Sequence, residues 1–151
     1  TPLYSSAASD GYKRQATFMG FRAVNTIVGK TDKIRFDIMP SAIFTYPEAA
    51  SVGTTEDQAK QQSIDCHTLK GYYRANGKAL AMGETEGLVK IIVDNATRQI
   101  LGCHICGPHA ADLIQEVVMA MNAEATIDTL ASSIHGHPTL SEVILTTAHQ
   151  F

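Results

Sequence analysis

The sequence predicts an α+β domain, an antiparallel sheet with helices packed on one side. Two observations carry this. Short apolar or alternating runs, punctuated by Gly, Pro and Asn, cluster between residues 41 and 105, and helix-period runs cluster after residue 109. Strands grouped together and then helices grouped together is the segregated pattern, not the alternating one of a parallel sheet. At 151 residues the chain is long enough for one domain with one sizeable core.

Each element has a local reason. Residues 1–10 are small and polar, a ragged start. From 11 to 28, Tyr12, Ala16, Met19, Ala23 and Ile27 recur at helical spacing. Gly29 suits a C-cap, so this helix ends near Val28 with an apolar face that needs a cover. After the charged turn 30–33, residues 41–45 are short and apolar between Pro40 and Tyr46-Pro47, which reads as a strand. Residues 49–53 are a second short extended piece. Thr54 and Thr55 followed by Glu56, Asp57 and Gln58 mark a helix start, with the helix reaching about residue 62. Residues 64–73 alternate as a strand does.

Residues 88–93 and 99–105 are apolar runs joined by a hairpin loop at 94–98, and Gly107-Pro108 stops the second. The polar stretch from Asn76 to Gly87 reads as a connecting segment, because Asn-Gly marks a turn and the order of a phosphate loop is missing. Residues 110–122 form an amphipathic helix with Leu113, Ile114, Val117, Val118 and Met121 on one side. It is either a central core helix or one that also meets a second subunit. Thr126 and Asp128 are candidate caps for a short helix through Ile134. Thr139 is a candidate cap for a last helix bearing Val143, Ile144 and Ala148.

Composition narrows the function. A net charge of -3 and the lack of a dense basic cluster argue against a nucleic-acid partner. No apolar run approaches the roughly 20 residues that span a bilayer, and the N-terminus has no secretory core. The first residue is Thr1, so the sequence reads as an excised piece of a longer protein. Three cysteines, Cys66, Cys103 and Cys106, argue against a disulfide framework and for the reducing cytoplasm.

The chemistry concentrates in His135-Gly136-His137-Pro138-Thr139-Leu140-Ser141-Glu142. An imidazole exchanges protons near neutral pH, and a carboxylate five residues later can turn back to hold it by one nitrogen. That is a base with its orienter. The bland alternative is a surface histidine before a turn proline, with a glutamate favoured at a helix N-terminus. His135 reads as a second polar group at the same cleft or, preferably, as structural. Two histidines without a third ligand at metal spacing point to no metal site. Cys103-His104-Ile105-Cys106 matches C-x-x-C, but inside a strand its two side chains face opposite ways. Both cysteines therefore read as small hydrophobes.

Four motifs in order also carry a resemblance: residues 40–53 (Pro-Ser-Ala-Ile-Phe-Thr-Tyr-Pro-Glu-Ala-Ala-Ser-Val-Gly), residues 75–87 (Ala-Asn-Gly-Lys-Ala-Leu-Ala-Met-Gly-Glu-Thr-Glu-Gly), residues 100–108 (Ile-Leu-Gly-Cys-His-Ile-Cys-Gly-Pro) and residues 135–142. Over about residues 33–148 the chain resembles the C-terminal dimerisation (interface) domain of the flavin-dependent pyridine nucleotide–disulfide oxidoreductases. The 75–80 segment and the doubled histidine favour the dihydrolipoamide dehydrogenase (E3) branch over glutathione-reductase-like members. The mercuric reductase branch is disfavoured, because its C-terminal cysteine pair is missing.

The resemblance implies a division into residues 1–32, the last helix and linker of an FAD domain, and 33–151, the interface domain. It implies a homodimer in which His137 is the acid/base, Glu142 holds its tautomer, and His137 with Pro138 borders the flavin of the partner subunit. The His137–Pro138 bond is expected to be cis. FAD and NAD are the implied cofactors of the full enzyme, which would serve a 2-oxo-acid dehydrogenase complex through lipoyl domains. A purely structural dimerisation module remains the alternative. Cys103 and Cys106 depart from the family's apolar strand residues. The redox C-x4-C and both dinucleotide glycine motifs are missing from this sequence, so the chain alone is expected to hold no cofactor and to be inactive.

Overall fold

The computed structural model describes the backbone from Ser6 and the side chains from Tyr12 to Phe151. Residues 1–5 of the expected ragged start, and the side chains through Gly11, lie outside the described residues. Helix α1 spans Ser6–Ile27. Strands β1 (Ser41–Ile43) and β2 (Ala49–Gly53) precede helix α2 (Glu56–Gln61), and β3 runs Cys66–Tyr72. A 3-10 turn, Tyr73–Ala75, leads into α3 (Gly77–Met82). Strands β4 (Leu88–Asp94) and β5 (Ile100–Cys106) form the hairpin, followed by α4 (Ala110–Asn122), α5 (Ile127–Ser132) and α6 (Glu142–Ala148).

The five strands make one sheet in the order β1-β2-β5-β4-β3, every neighbouring pair antiparallel. Register places Val52, Cys103, Ile91 and Leu69 in one row across the sheet. That row is buried, together with Ile114 and Val117 of α4 and Val143 and Ile144 of α6. One face of the sheet thus meets α4 and α6, and removing these apolar side chains from water is the main force holding the layers. The approach of α6 is close: a Cβ on Gly71 would collide with Thr147 Oγ1. On the opposite side of β4, Lys90 reaches out to bond Glu56 at 3.0 Å, which ties α2 to the sheet. Thr55 and Gln58 form the capping box that starts α2.

Three local readings change. The segment 77–82 is a helix, because the Asn76 side chain caps it and Gly83 closes it at φ 71°. Asn and Gly here are cap residues, and in sequence these look the same as turn residues. The last helix is not capped by Thr139: Ser141 occupies the N-cap position, while the Thr139 hydroxyl donates to the Gly136 carbonyl at 2.7 Å. The short helix expected through Ile134 stops at Ser132, because Ser133 turns extended.

Helix α1 leaves Tyr12, Met19 and Ile27 exposed. It lies beside β1, and its Arg22 bonds Asp32 at 2.8 Å and lies over the Phe36 ring. No helix among the described residues is long and apolar enough to cross a membrane.

Candidate functional site: the histidine loop between α5 and α6

The residues between α5 and α6 cannot stay helical, because Pro138 lacks the amide hydrogen a helix needs. The His137–Pro138 peptide bond is cis, as is Tyr46–Pro47. Glu142 then opens α6, where an acid complements the helix dipole. From there its carboxylate reaches back over the loop. Oε1 lies 2.9 Å from His137 Nδ1, and Oε2 accepts the Thr139 N–H at 2.8 Å. The Thr139 amide first, and His137 second, hold the Glu142 carboxyl pKa below its ordinary value, against the smaller cost of burial.

A carboxylate can only accept, so His137 Nδ1 must carry a proton in either charge state. In the neutral ring the lone pair then sits on Nε2, to which no hydrogen bond runs among the described residues. The His137 side chain is 78% exposed, whereas Glu142 is 22% exposed. The ring is thus oriented by Glu142 on an exposed side chain, and Nε2 has no partner among the described residues.

Two further groups fix the loop. Asn76 is buried at 5% exposure. Its Oδ1 accepts the Ala79 N–H at 3.0 Å, and its Nδ2 donates to the Thr139 carbonyl at 3.0 Å. On the other flank, His135 Nε2 lies 2.7 Å from Glu116 Oε1 and Nδ1 lies 3.0 Å from the Ser133 carbonyl. The structure therefore brings His135, His137 and Pro138 of the loop together with Glu142 at the start of α6. Glu116 and the anchoring role of Asn76 are not readable from sequence alone.

The cysteines stay apart from this site. Cys103 is buried and Cys106 exposed, and all three cysteines are free thiols. Burial pushes the Cys103 thiol far above its usual pKa, so it stays protonated and unreactive. The site therefore offers an imidazole oriented by a carboxylate.

The pyridine nucleotide-disulphide oxidoreductase dimerisation domain matches residues 39–148. The dihydrolipoyl dehydrogenase of Chlamydia muridarum is 44% identical over 128 residues, covering 85% of this chain and 28% of that protein. Dihydrolipoyl dehydrogenase 2, mitochondrial, of Arabidopsis thaliana is 42% identical over 125 residues, covering 83% and 25%. Among solved structures, LpdA from Mycobacterium tuberculosis superimposes with a TM-score of 0.79 at 27% identity, covering 85% of this chain and 28% of that one. The HOCl-induced flavoprotein disulfide reductase RclA from Escherichia coli gives a TM-score of 0.77 at 29% identity, covering 85% and 30%. The chain thus spans under a third of the length of the relatives it matches. With the matched region covering most of the sheet and both flanks of the histidine loop, the chain belongs to the pyridine nucleotide-disulphide oxidoreductase family, as its dimerisation domain.

Proposed function

We propose that this domain pairs two subunits of a dihydrolipoamide dehydrogenase and lends His137 and Glu142, as an acid/base pair, to the active site of the partner subunit. The observation that carries this is the exposed His137 ring, held by Glu142 at 2.9 Å, with no hydrogen-bond partner for Nε2 among the described residues. The named relatives at 44% and 42% identity favour the dihydrolipoamide substrate over other disulfide reductases.

The chemistry follows from thiol acidity. A thiol with a pKa of about 8.5 is mostly protonated at neutral pH and attacks a disulfide only as its thiolate. His137 Nε2 would take that proton, and Glu142 would stabilise the imidazolium through Nδ1–H. His137 would return the proton in the reverse direction. The base and the exposed Pro138 beside it suit the border of a flat ring held by another subunit. The sequence carries no glycine-rich phosphate loop with which to hold FAD by itself. FAD, bound by the full enzyme, would supply the electron acceptor between the dithiol and NAD.

In this reading residues 1–32 are the end of the FAD domain and its linker, and 33–151 the interface domain. The exposed apolar residues of α1, Tyr12, Met19 and Ile27, support that division. The enzyme would be a homodimer, serve a 2-oxo-acid dehydrogenase complex through its lipoyl domains, and work in the cytoplasm, where the three free thiols are at home. The test is His137→Gln in the intact flavoprotein. Dihydrolipoamide:NAD activity is expected to fall by about 10²–10⁴-fold, the typical share of a general acid–base. Full retained activity would leave the domain a structural pairing module.

A further inference from the structure

His135 is not required as the base, yet it is the more buried of the two loop histidines, with a side chain only 8% exposed. Both of its ring nitrogens face acceptors: the Glu116 carboxylate at 2.7 Å and the Ser133 carbonyl at 3.0 Å. A neutral imidazole has one N–H, so one of these contacts would set lone pair against lone pair. The cation satisfies both. Burial works against the charge, but the bonds to Ser133 and Glu116 outweigh it, and His135 holds its proton more tightly than an ordinary imidazole.

The charged and titratable groups around the ring are few. Glu116 faces it from α4, and Glu142 acts on it from the start of α6. His137 follows two residues on. Glu116 in turn acts on the buried Cys103 thiol and helps to keep it protonated. Gly136, between the two histidines, has no side chain to restrict the backbone. The Thr139 side of the loop is anchored by Glu142 and Asn76. On the other side, a side-chain link from the loop to α4 runs through His135.

We propose that His135 is a positioning residue: an imidazolium bridging Glu116 and the Ser133 carbonyl that clamps the loop to α4 and fixes where His137 presents Nε2. The catalytic consequence rests on the function proposed above, but the clamp itself does not.

The test uses the 151-residue chain, as wild type and as Glu116→Gln, with nitrogen NMR of the histidine rings between pH 5.5 and 9. Wild-type His135 is expected to show two protonated ring nitrogens at pH 7.5. Glu116→Gln should raise its acid dissociation constant at least tenfold and speed amide exchange at Thr139 several-fold. A neutral single tautomer in the wild type at pH 7.5 overturns the proposal, as does unchanged Thr139 exchange in the variant. The wild-type spectrum decides the charge state even if the variant fails to fold.

In the intact flavoprotein, His135→Gln should lower kcat for dihydrolipoamide and displace its pH profile while leaving KM for NAD unchanged. An unmoved profile overturns the positioning role. Full activity of His137→Gln would instead overturn the functional reading and leave the His135 ring spectrum as expected.

Discussion

Replacing Asn76 tests whether the histidine loop is held by a helix 63 residues away in sequence. The side chain does two jobs: Oδ1 caps α3 through the Ala79 N–H, and Nδ2 binds the Thr139 carbonyl. In Asn76→Ala both are lost. Losing an Asn cap costs about 1 kcal/mol. Leaving a half-buried carbonyl unpaired adds about 1 kcal/mol, the low end of the range because water can reach it. The expected loss is therefore about 2 kcal/mol, or roughly 4–8 °C in Tm for a domain of this size.

Asn76→Asp separates the two jobs. The carboxylate keeps the cap but turns an acceptor on the Thr139 carbonyl. Facing that oxygen in a buried site, the new carboxyl would have a raised folded-state pKa. The variant should then be nearly as stable as wild type below about pH 4, the ordinary Asp value. It should lose stability as pH rises through the raised pKa. Urea unfolding of the three proteins at pH 4 and pH 7 reads both effects. A loss under about 0.5 kcal/mol for Asn76→Ala, the size of an ordinary surface change, would refute the tether. So would a pH-independent Asn76→Asp.

Three other outcomes are expected. The Glu142 carboxyl pKa is depressed by Thr139 and His137, so its grip on the loop is full above the ordinary Glu value near 4.3 and is lost as pH falls through the depressed value; the protection of the Thr139 amide, its exchange slowed relative to an unfolded peptide at the same pH, should fall over that acid range, and protection that does not change with pH would refute the bond. Gly71→Ala drives a methyl group into Thr147 on α6 and should cost about 1–3 kcal/mol, the usual price of overpacking, seen as a lower urea midpoint; no change would mean α6 can shift away. The purified 151-residue chain should be colourless, and flavin absorbance co-eluting with it would refute the view that the cofactor is held by other parts of the enzyme.

Elements with a complete local signal were legible. Strand Ala49–Gly53 and helix Ala110–Asn122 match the reading to the residue, because turn residues or the strand-stopping Gly107-Pro108 flank them and the periodicity inside is clean. The His137–Glu142 pair was legible for the same reason: five residues and one turn separate the partners. Helix α3 was not, because its caps, Asn76 and Gly83, are residues that loops also favour. The Thr139 cap failed because its hydroxyl is turned back to donate to the Gly136 carbonyl and Ser141 takes the N-cap position instead.

The sequence by itself therefore determined the α+β class, the pairing of His137 with Glu142, and the opposite facing of Cys103 and Cys106. These depend on backbone periods of 2 and 3.6 residues and on short loops, which neighbouring residues impose. Only the tertiary structure decided what holds the base in place. Asn76 meets Thr139, and Glu116 meets His135, across 63 and 19 residues. Such bonds exist only after the helices have packed against the sheet and brought distant donors and acceptors into one buried place, where leaving them unpaired would be costly.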